Sequence, residues 1–345
     1  MKAVQIHRHG DVHALTYADI DEPNIQSPDQ VIVRIKAAAL NRADLAIRQG
    51  LTDAKISFPH ILGSDGAGII ATIGANVKNL EPGDAVCLYP LTGCGGCEFC
   101  ATDRELLCAG ISVLGEQQHG TYTDYLRVPA RNCFPIPPKL SFEEAAALPL
   151  VFLAAWRMLV IDAQLKPGEW LLIRSVGGGV ATAALQIAGH LGAQVIVSSS
   201  NRAKIDAAKR CGAKYGINSR NTDVAQAVRE ITGKRGVDVV VDNAGGPSWP
   251  RSLAALAKGG RLATCGATAG ASPQTDLRRV FWNHLKIFGS RFGSRADFLQ
   301  VLSFVAASKT KPIIDRVFEL KDAAQAHQRM EAGKSFGKIV LRIDN

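Results

Sequence analysis

Two hydrophobic rhythms divide the chain. Short, continuously apolar runs at 170–174, 194–199, 215–218, 237–242, 261–265 and 285–288 alternate with helical patterns over about 179–192, 202–211, 222–233, 248–257 and 276–284. Strands apolar on both faces, interleaved with helices, predict a parallel sheet covered on both sides. Six such strands match a doubly wound Rossmann sheet, giving an α/β class for this part. Residues 1 to about 140 read differently: β-like runs at 31–35, 68–73, 84–89 and 125–128 are broken by Gly, Pro and Asp, the texture of a compact β-rich unit. Ser141 with Glu144 forms a capping box that opens a helical stretch to about 164. The tail offers two more helices and a last strand at 338–343, which most simply rejoins the N-terminal unit. The expected domains are 1–151 with 291–345, and 152–290.

Composition narrows the class. At roughly 150 residues per domain, 345 residues suggest two domains. Hydrophobic residues at 47% and charged residues at 21% exclude a disordered or collagenous chain. No apolar run approaches membrane-spanning length. The start, MKAVQIHRHGDV, lacks the apolar core of a secretory leader, so a cytoplasmic protein without a membrane partner is expected. Lys plus Arg number 40 against 31 acidic residues, a net charge of +9. The basic residues are dispersed, with only short groups such as Arg278-Arg279, so a solvated basic surface is expected rather than a nucleic-acid site.

The cysteines carry the sharpest chemistry. Cys94, Cys97, Cys100 and Cys108 fall within a glycine-rich lobe at about 93–110. Four thiolates can close a tetrahedron about Zn²⁺ and leave no open coordination position, so one structural zinc per chain is expected. An iron–sulfur cluster is the competing occupant. Without export a disulfide framework is not expected, and Cys87, Cys133, Cys211 and Cys265 read as packed thiols.

A second signal is the turn Ser175-Val176-Gly177-Gly178-Gly179-Val180, placed after a strand and opening a helix. Backbone N–H groups and a helix N-terminus in that arrangement bind a dinucleotide pyrophosphate. An NAD-preferring fold carries an acid at the end of the next strand for the ribose hydroxyls. Here that strand ends in Ser198-Ser199-Ser200-Asn201-Arg202, with Lys204 beyond. Ser199, Ser200, Arg202 and Lys204 are therefore candidates for a 2′-phosphate, which predicts NADPH as cofactor. Asn243 and Ala244, Gly266 and Ala267, and Ser290 and Arg291 follow later strand ends, on the side expected for the nicotinamide.

Taken together, the chain resembles the medium-chain dehydrogenase/reductases, the superfamily of zinc alcohol dehydrogenases and quinone reductases. The likeness rests on Gly63-Ser64-Asp65-Gly66-Ala67-Gly68 with Gly74, Glu81-Pro82-Gly83-Asp84, the four-cysteine lobe, Ala145 to Pro149, the glycine turn and Gly259-Gly260-Arg261. It implies a GroES-like catalytic domain, a Rossmann domain with a cleft between the two, and a homodimer (or a tetramer) joined through the edge of the Rossmann sheet. The catalytic zinc ligands of the alcohol dehydrogenases fall on Asn41, Ser64 and Leu150, none of which is a zinc donor. Asp65 matches the acid that accompanies the metal in that family, and Ala46 stands where quinone-reductase relatives often carry a tyrosine. The resemblance therefore points to the zinc-independent quinone reductase and enoyl reductase branch, which passes hydride from NADPH to a small conjugated acceptor. Asn41, Ser64 and Tyr122 are the candidate catalytic residues. Asp44 and Arg48, four apart, read as a helical ion pair. The alternatives are a zinc-dependent alcohol dehydrogenase acting on a small alcohol or aldehyde, and a non-catalytic NADPH-binding protein with affinity for RNA.

Overall fold

The computed structural model describes residues 1–52, 55–102 and 104–344. The chain divides into two units, Met1–Leu150 with Ser294–Asn345, and Val151–Gly293. Among the described residues no helix is long and apolar enough to cross a membrane.

The first unit is built on the long strand Gln30–Ala39. Its first half alternates, with Val31, Val33 and Ile35 buried and the residues between them half-buried. Its last three residues, all alanine, are buried, and that end is flanked by two antiparallel neighbours. One is Asp65–Ile73, the other is Lys338–Arg342 from the tail. The wider sheet runs Cys133–Pro135, Ala85–Leu88, Asp65–Ile73, Gln30–Ala39, Lys338–Arg342, Ile314–Glu319, with Tyr125–Pro129 also paired to Gln30–Ala39. Asp65–Ile73 lies so close to its neighbour that a Cβ on Gly68 would stand 2.1 Å from the Arg34 carbonyl oxygen. Only glycine tolerates that approach.

The register brings distant residues together. Asp65 pairs with Ala39, and the Leu40 N–H donates to the Ile339 carbonyl. Asn41, which follows this strand, thus meets the first residue of each neighbour, Asp65 and Lys338. Asn41 also opens the helix Arg42–Gln49 through a capping box with Asp44, and Gly50 closes it in a left-handed conformation at φ 72°.

In the second unit all six strands are parallel, in the order Tyr215–Asn218, Gln194–Ser199, Trp170–Ile173, Val237–Val241, Leu256–Thr264, Lys286–Gly289. That is the doubly wound arrangement the apolar runs predict, with the turn of order beside Trp170–Ile173, where such sheets bind nucleotides. Leu172, Ile196, Val240 and Leu262 have no exposed surface and anchor its core. At about 25 cal/mol per Å² of apolar surface, each contributes on the order of 2 kcal/mol.

Candidate active site

The meeting point of the three strand ends is a buried polar cluster. The Lys338 ammonium donates to Asn41 Oδ1 at 2.7 Å and to Asp65 Oδ2 at 2.8 Å. Asn41 Nδ2 donates to the same Asp65 oxygen at 2.9 Å, and the Leu150 N–H donates to Asp65 Oδ1 at 2.9 Å. The Lys338 and Asp65 side chains are 3% and 0% exposed, so the ion pair is desolvated. Such a pair persists only when further hydrogen bonds satisfy both partners, as these do.

This arrangement bears directly on a catalytic metal. The three matching positions supply an amide, a hydroxyl and, from Leu150, a backbone N–H that donates rather than accepts. Asn41 Oδ1 and both Asp65 oxygens are already engaged, and an ammonium stands among them. A second cation would face that charge with no thiolate or imidazole to hold it, so the residues do not fit a catalytic zinc.

Ser64 is different. Its side chain is 1% exposed, and its Oγ has no hydrogen-bond partner among the described residues. Tyr122 is also fully buried, but its hydroxyl donates to Asp44 Oδ2 at 3.1 Å, which makes it an anchor of the cluster rather than an open phenol. His60 braces a loop, its Nε2 3.1 Å from the Gly115 carbonyl oxygen.

The ion pair expected between Asp44 and Arg48 does not form, and each side chain takes other partners. Asp44 Oδ2 accepts from the Asn41 N–H at 2.7 Å and from Tyr122. Arg48, fully buried, donates to the Gly10 carbonyl and to His327 Nδ1, and pairs with Glu331. Both side chains are buried, Asp44 turned to the start of its own helix and to Tyr122, Arg48 to the Gly10 carbonyl, His327 and Glu331. Burial also pushes the Asp44 carboxyl up to about 6, against the pull of the Asn41 N–H. It drives the His327 imidazole down to about 3, helped by Arg48. Lys338 and His327 are the site residues that sequence reading missed. The single signal for Lys338 was a cation at the start of an apolar strand; His327 carried none.

The four lobe cysteines converge, with their sulfurs all within 4.8 Å of one another. Cys94 and Cys100 sulfurs are 3.9 Å apart, close to the ~3.8 Å edge of a zinc–thiolate tetrahedron. A Cβ on Gly93 would stand 2.8 Å from the Cys100 sulfur, and Gly95 takes φ +81°, so the loop needs glycine at both places. The Gly96 N–H holds the Cys94 thiol down to about 6, as suits a thiolate ligand. The short antiparallel pair Leu91–Thr92 and Ser112–Val113 closes the lobe at its base. These residues fit a structural zinc. Among the described residues no other group of three or more His, Cys, Asp or Glu converges in this way.

In the second unit the predicted nucleotide residues gather at the carboxyl ends of the strands. Ser175 takes φ 52° and Gly177 φ 128°, and Gly178 caps the helix Gly179–His190 in extended backbone. Val176 is pinned to the next strand by its N–H to the Ser198 carbonyl at 2.9 Å. The Lys204 side chain lies across the turn, so a Cβ on Gly177 would stand 3.1 Å from its Nζ. This cradle fits a pyrophosphate. Ser199 Oγ accepts from the Asn201 N–H at 3.2 Å, and Asn201 Oδ1 caps the helix Arg202–Arg210. Arg202 makes an exposed pair with Asp206, and Ser200 is exposed. Ala244 donates its N–H to Asp242, the Asn243 carbonyl accepts from the Thr268 N–H, and Arg291 stacks on Phe292. Gly266 approaches Asn243, where a Cβ would stand 3.2 Å from the carbonyl oxygen, and Ala267 accepts from the Gly270 N–H. The Ser290 hydroxyl is committed to Asp162 at 2.6 Å and its N–H to the Thr264 carbonyl at 2.8 Å, so Ser290 has its carbonyl left to offer a ligand.

Known proteins share this architecture. Residues 27–138 match the family model of the alcohol dehydrogenase GroES-like domain, and residues 179–307 match that of zinc-binding dehydrogenases. A zinc-type alcohol dehydrogenase-like protein of Schizosaccharomyces pombe is 34% identical over 94% of both chains. A solved structure of an NAD-dependent alcohol dehydrogenase is 40% identical, with a TM-score of 0.96 over 100% of both chains. A crotonyl-CoA carboxylase/reductase structure is 26% identical, with a TM-score of 0.91 over 99% of this chain and 88% of that one. The chain belongs to the zinc-type alcohol dehydrogenase-like family of medium-chain dehydrogenase/reductases, and it is an oxidoreductase.

Proposed function

We propose that the protein is an NADPH-dependent reductase of an activated C=C bond or a quinone, working without a catalytic zinc. The observation that carries this reading is Lys338 inserted between Asn41 and Asp65, which uses up the acceptors a metal would need. Hydride transfer to a simple carbonyl demands strong polarisation of its oxygen, usually by a Lewis acid. A conjugated acceptor spreads the incoming charge, so hydrogen-bond donors suffice. Bound NADPH would supply the hydride. The glycine turn would hold its pyrophosphate, and Ser199, Ser200, Arg202 and Lys204 its 2′-phosphate. Ser64 would donate its unpartnered hydroxyl to the substrate. Asn41, tied to Lys338 and Asp65, would hold that segment in place and offer its second amide hydrogen. The chain would act as a homodimer, joined through the edge of the six-stranded sheet.

The competing reading is a zinc-dependent alcohol dehydrogenase, which the names of the relatives favour. Turnover of enones, quinones and simple aldehydes, measured with zinc content on the same sample, separates the two. The reductase predicts one zinc per chain and turnover of the conjugated acceptors. Two zinc atoms per folded chain, with loss of aldehyde turnover on mild chelation, would establish the dehydrogenase instead. Replacing Asn41 by Ala should lower turnover of the conjugated acceptor about tenfold, on the order of 1.4 kcal/mol. Unchanged turnover removes Asn41 from the site.

A further inference from the structure

One guanidinium of the six-stranded unit is buried and almost unused. Arg174 is the first residue past the strand Trp170–Ile173 and is 5% exposed. Its Nη1 donates to Ser198 Oγ at 3.3 Å. That is its one side-chain hydrogen bond among the described residues, and its Nε is buried with no partner. A guanidinium carries more donors than any other side chain, so most of them are unspent. No ion pair compensates the charge among the described residues. Asp242, beside it, is taken up by others: Oδ1 accepts from the Ala244 and Gly245 N–H groups, and Oδ2 from the Ser252 hydroxyl at 2.6 Å. The other charges around Arg174 are Asp223 and Arg251, which pair with each other at 3.6 Å. A buried charge short of partners is costly, so this one calls for a use.

The register sets where the side chain lies. Ile173 pairs with Val197 on one side and with Val241 on the other, and the Arg174 N–H continues the ladder to the Val241 carbonyl at 3.0 Å. Ser198, Arg174 and Asp242 therefore form a row across the carboxyl ends of three strands. Side chains alternate along a strand, so Arg174 shares the face of Leu172. Leu172 packs in one cluster with residues of the helices Val224–Ile231 and Trp249–Ala255. The helix Gly179–His190 also packs on Trp170–Ile173 but adds no residue to that cluster, so it covers the other face. The glycine turn that feeds this helix and the Arg174 side chain thus flank one strand end from opposite faces. That strand end is the switch point of the sheet, where such folds bind nucleotides.

We propose that Arg174 binds the nucleotide, its unspent N–H groups donating to a ring nitrogen of the adenine base. The inference rests on the reading of the six-stranded unit as a dinucleotide site. In that reading the glycine turn takes the pyrophosphate and the residues from Ser199 to Lys204 take the ribose and its phosphate, which leaves the base for the face of Arg174. The chemistry agrees. A phosphate is strongly hydrated and suits the exposed Arg202. A flat, uncharged base with acceptor nitrogens suits a planar, weakly hydrated guanidinium that is almost wholly buried. The base is common to NADPH and NADH, so this contact adds affinity for both, whereas Arg202 and Lys204 act on the phosphate alone.

The test is binding by the zinc-loaded protein, without turnover. Calorimetry with 5′-AMP, NADPH and NADH compares the wild type with Arg174→Met, which keeps a long side chain and removes its donors. The expected result is a Kd about tenfold higher in the variant for all three ligands, as for the loss of a hydrogen bond to a charged donor. Analogues of AMP in which one ring nitrogen is replaced by C–H locate the contact. One of them should bind the wild type about tenfold more weakly than AMP does, and bind Arg174→Met as AMP does. If Arg174→Met does not fold, Arg174→Lys, which keeps the charge, takes its place in the same comparison. A rise in Kd for NADPH alone would put Arg174 on the 2′-phosphate and overturn the base contact. An unchanged Kd for AMP, or an analogue loss of equal size in wild type and variant, overturns it as well. A wild type that binds neither AMP nor either dinucleotide overturns the dinucleotide reading itself, and this inference with it.

Discussion

His327 shows what a single buried side chain contributes to the behaviour of this protein. It is fully buried, edge-on to Tyr122 with ring centroids 5.9 Å apart, and it accepts from Arg48. Burial first, and the Arg48 charge second, lower its folded-state value to about 3. In the unfolded chain it titrates near 6.5. Between those values the unfolded state binds the extra proton, so the stability His327 contributes is present above about pH 6.5 and is lost as pH falls toward 3. The full span corresponds to on the order of 5 kcal/mol. Asp44 has the opposite sign: its folded value, raised to about 6, favours the fold on the acid side. His327→Gln keeps an acceptor for Arg48 and removes the titration. Denaturant unfolding at a series of pH values should show a shallower loss of stability between about pH 6.5 and 4 in the variant. Parallel slopes for the two proteins would mean that His327 does not stay neutral in the fold.

At the scale of elements, what was legible depended on how local the signal is. The glycine turn and the four cysteines announce themselves because their chemistry is set by spacing within a few residues. The six parallel strands were legible because a strand buried on both faces is apolar throughout; Gln194–Ser199 and Tyr215–Asn218 fall on their predicted spans. The cluster around Asn41 was not, because Lys338 and Glu331 meet it across 297 and 283 residues, distances over which one sequence carries no pairing signal. The local i,i+4 rule failed at Asp44 and Arg48 for the same reason. The lobe is the element for which dependence on a metal is expected. Its helical pieces are single turns, Glu98–Ala101 and Glu105–Leu107, with no buried residue in either, so packing alone does not hold them. Metal binding to such a set is worth on the order of 10 kcal/mol. Cys97→Ser should therefore drop zinc from one atom per chain to a small fraction and open the lobe to protease cleavage. The unfolding of the six-stranded unit should be unchanged. Full zinc retention in the variant would show that the other three sulfurs suffice.

At the scale of the whole molecule, two surfaces of the six-stranded unit lead to opposite kinds of recognition. At one edge region, Arg202 and Lys204 lie beyond a strand that ends in serines, where an NAD-preferring chain has an acid. The double variant Arg202→Ala with Lys204→Ala should lower kcat/KM for NADPH tenfold or more and leave that for NADH within about twofold, since each charge-assisted contact to a phosphate contributes roughly 1–2 kcal/mol. Equal losses with both cofactors would point to the shared pyrophosphate instead. The far edge is apolar. Lys286–Gly289 is the last strand of the sheet, with Ile287 40% exposed, and the short helix before it leaves Leu277 70%, Phe281 59% and Trp282 71% exposed. Large apolar side chains gathered beside an open strand edge are costly in water and invite pairing with another edge. Burying these four side chains in each of two copies would yield on the order of 10 kcal/mol before the cost of association. Trp282→Glu with Ile287→Glu places like charges in both copies of that surface. Sedimentation at micromolar concentration should give a dimer for the parent and a monomer for the double variant, with the melting temperature of the monomer lowered. A variant that sediments with the parent would move the contact to another face.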